Sequence, residues 1–415
     1  MQGTCGIGEI RNVSVMWKTV SEDCNLACDY CYYSTCAGKP GPKINRIDSF
    51  ILEKFIQEYI HKNGGIASFA WQGGEPLLAG LDFFEEVIAV QQKYTPLNGR
   101  VDNALQTNGT LITDRWAYFL KKHNFLVGVS LDGPKKIHDA RRVDSLGQGS
   151  YERVMRGITY LKQHQTDFNI LTVVHRGNVG RAAELMDFYE REGLHFIQFI
   201  PCMDFKAQQG DTMAGYDITS QQYGEFLCEI FDIWYNNGNP NMYVRFFDNL
   251  LNVYVNREAE LCVHCAKCPD MIILEQNGDA YPCDFYISPE WKMGNVATHS
   301  LDELMLHPVH SKFAAMKGAL PQTCTLCEWK SLCFGGCPRN RKWSPDGVSS
   351  NPDYFCTAYR KIYEYADERM KVLGTEVRKQ LFNQNVMRYL KGRPPGRNEP
   401  CACGSGRKYK YCCSN

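Results

Sequence analysis

The sequence has no excess of either charge: Lys+Arg and Asp+Glu each total 46 in 415 residues. No global field therefore steers it toward nucleic acid or an anionic membrane. It also lacks an apolar run of the 18 or more residues that a spanning helix needs, and MQGTCGIGEIRN lacks the basic-then-apolar layout of a secretory signal. A cytoplasmic protein without a membrane span is expected. With 44% hydrophobic and 22% charged residues, the composition excludes wholesale disorder and a coiled-coil rod. At about 150 residues per domain the length allows two or three domains.

What the chain has in unusual supply is cysteine, 20 in all. Disulfides are rare in a reducing compartment, so cysteines at short spacings read as metal or cluster ligands. Cys24, Cys28 and Cys31 form one group. Cys262, Cys265, Cys268 and Cys283 form a second, and Cys324, Cys327, Cys333, Cys337 and Cys356 a third. The last group is Cys401, Cys403, Cys412 and Cys413. Cys5, Cys36, Cys202 and Cys228 remain, and read as small buried apolar residues.

From Val13 to about Pro201 short β-rich runs alternate with amphipathic stretches, the pattern of a parallel sheet built from βα units. The runs are VSVMWKTV, IASFAW, VDNALQ, FLVGVSL, FNILTVV and FIQFI. Helices are expected over Asp48 to His61 with Asp48 as N-cap, Leu81 to Tyr94, Thr113 to His123, Tyr151 to Gln163 and Val179 to Glu192. Six strands predict an α/β fold with a partial (β/α)6 barrel, short of the eight units of a closed one. An aromatic helix, SQQYGEFLCEIFDIWYNN, follows a polar loop. From about Cys262 to Tyr359 cysteines lie among Gly, Pro and aromatic residues, as in a loop-rich fold held by metal. GRPPGRNEP then reads as a linker, and from Arg388 to Asn415 seven Lys/Arg face one Glu. The expected domains are 1–240 (barrel), 241–375 (cysteine-rich) and 376–415 (helix, linker and metal-binding tail).

Cys24-x3-Cys28-x2-Cys31 lies just after the first strand. Clusters of the 4Fe-4S type normally take four thiolates, so three leave one iron open to substrate. The spacing alone also fits a zinc knuckle, or a four-cysteine cluster closed by Cys36. CNLACDYCYY on the first loop of a partial barrel resembles the radical S-adenosylmethionine superfamily. That resemblance implies that the open iron chelates S-adenosylmethionine, whose one-electron reduction yields a 5'-deoxyadenosyl radical. It further implies cofactor contacts from Gly73, Gly74 and Glu75 after the second strand, where the methionine ammonium is received. Asn108 after the third strand, Ser130 at the end of the fourth, and Arg142 near the cofactor carboxylate complete that set. Each sits at a strand end or in a following loop, where barrels build their sites.

The later cysteines, with NGDAYPCDFY around Cys283, resemble the SPASM extension of peptide-modifying radical enzymes. The family pattern implies two auxiliary 4Fe-4S clusters, one on Cys262, Cys268, Cys283 and Cys337, the other on Cys324, Cys327, Cys333 and Cys356. Cys265 departs from the pattern and competes with its neighbours. YPCDFY, KMGN and RNRKWSPDG together resemble anaerobic sulfatase-maturating enzymes, over about residues 10 to 375. The implied reaction oxidises a cysteine or serine of an unfolded sulfatase polypeptide to Cα-formylglycine. The radical takes a Cβ hydrogen, Asp284 takes the S–H or O–H proton, and an auxiliary cluster takes the second electron. Gln72 and Tyr33 are candidates to hold the peptide, and an electron donor such as ferredoxin or flavodoxin is implied.

PCACGSGRKYKYCC resembles the SEC-C motif, which implies zinc on Cys401, Cys403, Cys412 and Cys413 and docking of a secretion, chaperone or ribosomal partner. Two other readings stay open on sequence: a SPASM maturase of a different peptide, for example forming a thioether, and a non-catalytic iron-sulfur electron carrier.

Overall fold

A computed structural model describes residues 13–33, 44–203, 215–344, 347, 349 and 351–414; Cys5 and Cys36 lie outside them. In chain order the elements begin with β1 (Ser14–Lys18), α1 (Ser49–Lys62), β2 (Ile66–Gln72), α2 (Leu81–Tyr94), β3 (Arg100–Thr107), α3 (Asp114–Lys122) and β4 (Phe125–Ser130). They continue with α4 (Lys135–His138), α5 (Tyr151–Gln163), β5 (Phe168–Val174), α6 (Ala182–Arg191), β6 (Phe196–Pro201), α7 (Ser220–Tyr235), β7 (Tyr243–Val244) and α8 (Arg245–Tyr254). Last come β8 (Met271–Leu274), β9 (Asp279–Tyr281), β10 (Gly294–Asn295), α9 (Leu301–Met305), α10 (Pro308–Met316), α11 (Gln322–Thr325), α12 (Lys330–Cys333) and α13 (Cys356–Tyr389). All six expected strands and five expected helices form. The α6 helix starts three residues later than its apolar pattern suggests. The chain divides into two compact units, Met1–Thr172 with Pro269–Met316, and Val173–Cys268 with Lys317–Asn415. Among the described residues no helix is long and apolar enough to cross a membrane.

In the first unit β1 to β5 run parallel in sequence order. Alternation along β1 and β2 puts Trp17, Phe69 and Trp71 on one buried face, with Trp17 and Trp71 paired in register. The two indoles stack at 5.9 Å, and Trp71 donates to Asn103 Oδ1 at 2.8 Å, so its one polar atom is satisfied inside the core. Asp48 accepts from the backbone N–H groups of Phe50 and Ile51, capping α1. Leu52, Phe55, Ile56, Tyr59 and Ile60 are the buried face of that helix, spaced at three to four residues as an amphipathic helix requires.

The cysteine-rich segment is less loop-like than its composition suggests. Its apolar run MIIL forms β8, which pairs parallel with β1 in the register Val15↔Ile272. β9 and β10 then extend the sheet antiparallel. A bare outer edge on β1 would expose unpaired backbone groups, and β8 covers it. The β8–β9 hairpin also delivers Cys283 and Asp284 from the end of β9.

The second unit is built around two long helices. Thr219 and Gln222 form a capping box at the start of α7. Along α13 the buried positions Ala358, Tyr359, Ile362, Tyr363, Ala366, Met370 and Leu373 form a stripe. At Gly224 of α7 an added Cβ would stand 3.0 Å from Ala358 Cα, so the two backbones approach where neither has a large side chain. Gly224→Val forces them apart and lowers unfolding stability by about 1–3 kcal/mol, read as a drop in the denaturation midpoint. An unchanged midpoint overturns this account of the contact.

Candidate active site

The three-cysteine loop leaves β1 and is tied to the end of β2 by backbone. Gly74 N–H donates to Ser21 O at 2.7 Å and Glu75 N–H to Asp23 O at 2.8 Å. A Cβ at Gly73 would lie 2.8 Å from Ser21 O, and one at Gly74 would lie 2.1 Å from Asp23 O. Gly73 has φ 132°. Glycine is required at both positions because the cysteine loop lies directly on them.

Glu75 is wholly buried. Its carboxylate accepts from Thr107 Oγ1 at 2.7 Å, from the Asn108 N–H at 2.7 Å and from the Leu77 N–H at 3.0 Å. Burial outweighs these bonds and pushes its carboxyl up to about 7. One side chain thus joins the ends of β2 and β3. Asn108 in turn donates to Asn25 Oδ1 at 2.8 Å and to Cys24 Sγ at 3.7 Å, and Ser130 Oγ accepts from Gln106 at 3.1 Å.

Burial, then the Glu75 charge and the neighbouring Cys28 and Cys31, raise the Cys24 thiol to about 12. Burial likewise raises Cys28 to about 11, against the pull of Arg142, whose guanidinium donates to Cys28 Sγ at 3.9 Å. Arg142 is itself buried. Its Nε lies 3.3 Å from Asp132 Oδ2, and Tyr30 donates to that same oxygen. Behind it Ser150 Oγ donates to Arg142 O at 2.7 Å and contacts His138 Nε2 at 2.9 Å.

On the other side of the cysteine loop Asp284 forms an ion pair with Lys18, the last residue of β1. Tyr32 OH donates to Asp284 Oδ2 at 2.6 Å and Tyr33 OH to Oδ1 at 3.5 Å. Gln72 donates to Tyr32 OH at 3.2 Å. Gln72, Tyr33 and Asp284, chosen separately on sequence, therefore belong to one cluster.

The second unit carries its own sulfur sets. Burial first, and then Cys262 and Cys337, raise Cys268 to about 12. Lys317, buried beside these three, donates to Cys262 O at 3.0 Å and Gly336 O at 2.5 Å. Cys324, Cys327, Cys333 and Cys356 line a cavity of about 1040 Å³, and the Cys356 thiol is raised to about 11 by burial and then by those three neighbours and Asp353. Cys265 turns away: its thiol donates to Ala259 O at 3.2 Å and Leu261 O at 3.4 Å. Cys202 and Cys228 are buried, as expected of apolar fillers.

In the tail the sulfurs of Cys401, Cys403, Cys412 and Cys413 all lie within 4.8 Å of one another. Burial opposes ionisation of Cys403, but hydrogen bonds from Ser405 and the neighbouring thiols bring it down to about 7.

Comparison with known proteins agrees with this geometry part by part. Residues 19–189 match the radical SAM superfamily, 262–328 the SPASM iron-sulfur cluster-binding domain, and 397–415 the SEC-C motif. The chain is 35% identical over 362 residues to the cysteine-type anaerobic sulfatase-maturating enzyme of Clostridium perfringens, covering 86% of this chain and 97% of that one. This chain belongs to the anaerobic sulfatase-maturating enzyme family. A serine-type family member from Bacteroides thetaiotaomicron is 34% identical over 395 residues, covering 91% of this chain and 95% of that one. The solved structure of native anSMEcpe with bound AdoMet and Cp18Cys peptide matches with a TM-score of 0.81 at 33% identity, over 88% of this chain and 99% of that one.

The donor sets suit the iron-sulfur groups that radical SAM and SPASM domains imply. Each is a group of soft thiols whose ionisation is suppressed by burial and mutual repulsion, which a cationic cluster reverses. Several residues of this family member's site carried no usable sequence signal. Lys18 ends an apolar strand, and only its charge at the site-bearing end marks it. Tyr32 stands inside CNLACDYCYY without a role of its own, and Lys317 looks like an ordinary surface residue until the fold buries it. Arg142→Leu removes the guanidinium that Asp132 and Tyr30 face, and costs about 3–5 kcal/mol of stability. A loss below about 1 kcal/mol in denaturant unfolding overturns that reading.

Proposed function

We propose that this enzyme oxidises a cysteine or serine of an unfolded sulfatase polypeptide to Cα-formylglycine. The observation that carries the reading is the Asp284 cluster, which a peptide-modifying oxidase needs and a mere electron carrier does not. Cys24, Cys28 and Cys31 hold the open cluster, and Gly73, Gly74, Glu75, Asn108, Ser130 and Arg142 form the S-adenosylmethionine site. When bound, cluster and cofactor together supply the one-electron chemistry that removes a Cβ hydrogen. The chain's own part is acid–base and positional. Asp284 receives the S–H or O–H proton at its carboxylate, and Gln72 and Tyr33 orient the peptide beside it. The eight SPASM cysteines of the family pattern, without Cys265, hold two further clusters that accept the second electron. A cysteine substrate then gives a thioaldehyde, which water converts to the aldehyde and sulfide.

Reduced thiols and an exposed iron suit the cytoplasm, with a ferredoxin- or flavodoxin-type donor, and the chain is organised functionally as 1–240, 241–375 and 376–415. Cys401, Cys403, Cys412 and Cys413 hold zinc, a reading supported by their mutual spacing. The tail docks a secretion, chaperone or ribosomal partner.

Asp284→Asn lowers formylglycine formation by at least about 100-fold, the usual contribution of a general base. Some 5'-deoxyadenosine formation persists. The assay uses anaerobically reconstituted protein, dithionite, S-adenosylmethionine and a sulfatase-derived peptide in Cys and Ser forms, read by mass spectrometry. Wild-type cofactor cleavage with both peptides unchanged sinks the substrate assignment. Separately, Cys412→Ser removes one zinc equivalent by elemental analysis and leaves iron unchanged; a parallel loss of iron contradicts a distinct zinc site.

A further inference from the structure

The proton acceptor proposed above is not a lone carboxylate, and its two oxygens are not equivalent. Lys18 is 0% exposed and Asp284 12% exposed at the side chain, and the pair joins through Oδ1. Lys18 Nζ also stands over the Tyr33 ring at 4.4 Å from its centroid and over Tyr32 at 5.6 Å. Among the described residues this ammonium meets no hydrogen-bonding acceptor besides its ion-pair partner. A desolvated lysine is costly to bury, and here the carboxylate and two aromatic faces compensate it. The second oxygen, Oδ2, accepts from Tyr32, a residue 36% exposed. Tyr32 thus makes to Oδ2 the kind of bond that an S–H or O–H donor makes to a carboxylate.

From this geometry we infer that Lys18 is a positioning residue for the reaction: it anchors Asp284 by Oδ1 so that Oδ2, the oxygen on the Tyr32 side, alone meets the substrate. The inference rests on the maturase reading. It assigns to the end of β1 a part in catalysis beyond starting the cysteine loop. Neighbouring Glu275 reinforces the arrangement, because its half-buried carboxylate accepts from Ser21 Oγ and interacts electrostatically with both Lys18 and Asp284. A carboxylate that close would repel Asp284 if the lysine charge were removed.

The test compares wild type, Lys18→Met and Lys18→Arg, measuring formylglycine formed per 5'-deoxyadenosine, peptide KM and iron content. A positioning role predicts that Lys18→Met keeps its iron and still cleaves cofactor, while the ratio of product to cleaved cofactor falls by about tenfold or more at little-changed KM. Lys18→Arg, which retains the charge, recovers much of that ratio. Equal falls in cleavage and product, with the ratio unchanged, show a merely structural lysine and overturn the inference; so does a full wild-type ratio in Lys18→Met. If Lys18→Met loses iron, the double variant Lys18→Met/Asp284→Asn leaves neither charge unpaired. Recovery of iron in that variant supports the pairing, and continued loss overturns it. Wild-type enzyme that makes no formylglycine refutes the maturase reading instead, a result that the lysine variants cannot mimic.

Discussion

Sulfur anions cannot be crowded into buried loops without a cation to receive them, and that constraint organises this molecule. Arg142 beside Cys28, Lys317 beside Cys268 and Arg341 beside Cys324 offset part of that charge, and burial still raises all three thiols. The chain holds the loops themselves chiefly through their backbone groups. Arg341 is almost wholly buried, yet its guanidinium donates to the carbonyls of Gly335, Ala319, Lys317 and Phe334. Asp353 accepts from the N–H groups of Cys337 and Phe355, both at 2.7 Å. Five strong donors on one arginine can satisfy a loop's carbonyls, and a buried carboxylate can gather its amides. The cysteines then keep their places in spite of mutual repulsion.

The first unit meets the same constraint through strand ends. A parallel sheet brings the C-terminal ends of successive strands to one edge, so residues far apart in sequence meet without a dedicated scaffold. Glu75 is the clearest case. Its three donors come from Leu77, just past its own turn, and from Thr107 and Asn108 at the end of the next strand. The cysteine loop rests on the two preceding glycines. Replacing Glu75 disturbs its neighbours, because its bonds to Thr107 and Asn108 tie the turn after β2 to the end of β3.

Much of this was legible from sequence, for identifiable reasons. Apolar alternation and end caps mark elements locally: Asp48 caps α1 as its position before an apolar periodic run suggests, and Thr113, expected as the first residue of its helix, stands as the cap of α3. Cysteine spacing is equally local. The pairing of β8 with β1 was not legible, because MIIL is four residues long and its partner lies more than 250 residues earlier; nothing in a short apolar run specifies which edge it covers. Lys18 and Asp284 failed to stand out as a pair for the same reason. A charge at a strand end is ordinary in sequence, and becomes exceptional only once its environment excludes water. Likewise Cys265 has ligand spacing, and only the placement of its thiol against two carbonyls sets it apart.

The tail shows how a cluster of thiols can be local in sequence and still depend on the fold around it. Its four cysteines lie within 13 residues, too few to bury a core, so an isolated segment would be ordered by metal alone. Here it also has a seat. Tyr409 stacks on Phe382 of α13 at 5.3 Å, Asn385 donates to Ala402 O at 2.6 Å, and Arg407 donates to Asn256 Oδ1 at 3.0 Å. The same α13 begins at Cys356. A helix rises about 1.5 Å per residue, so the seat lies roughly 40 Å along the helix from that cysteine. At that separation direct electrostatic influence is screened, and what the helix fixes is placement. The tail is thereby held on the far half of α13, away from the cysteine set at its start, so the two groups of thiols cannot share a ligand.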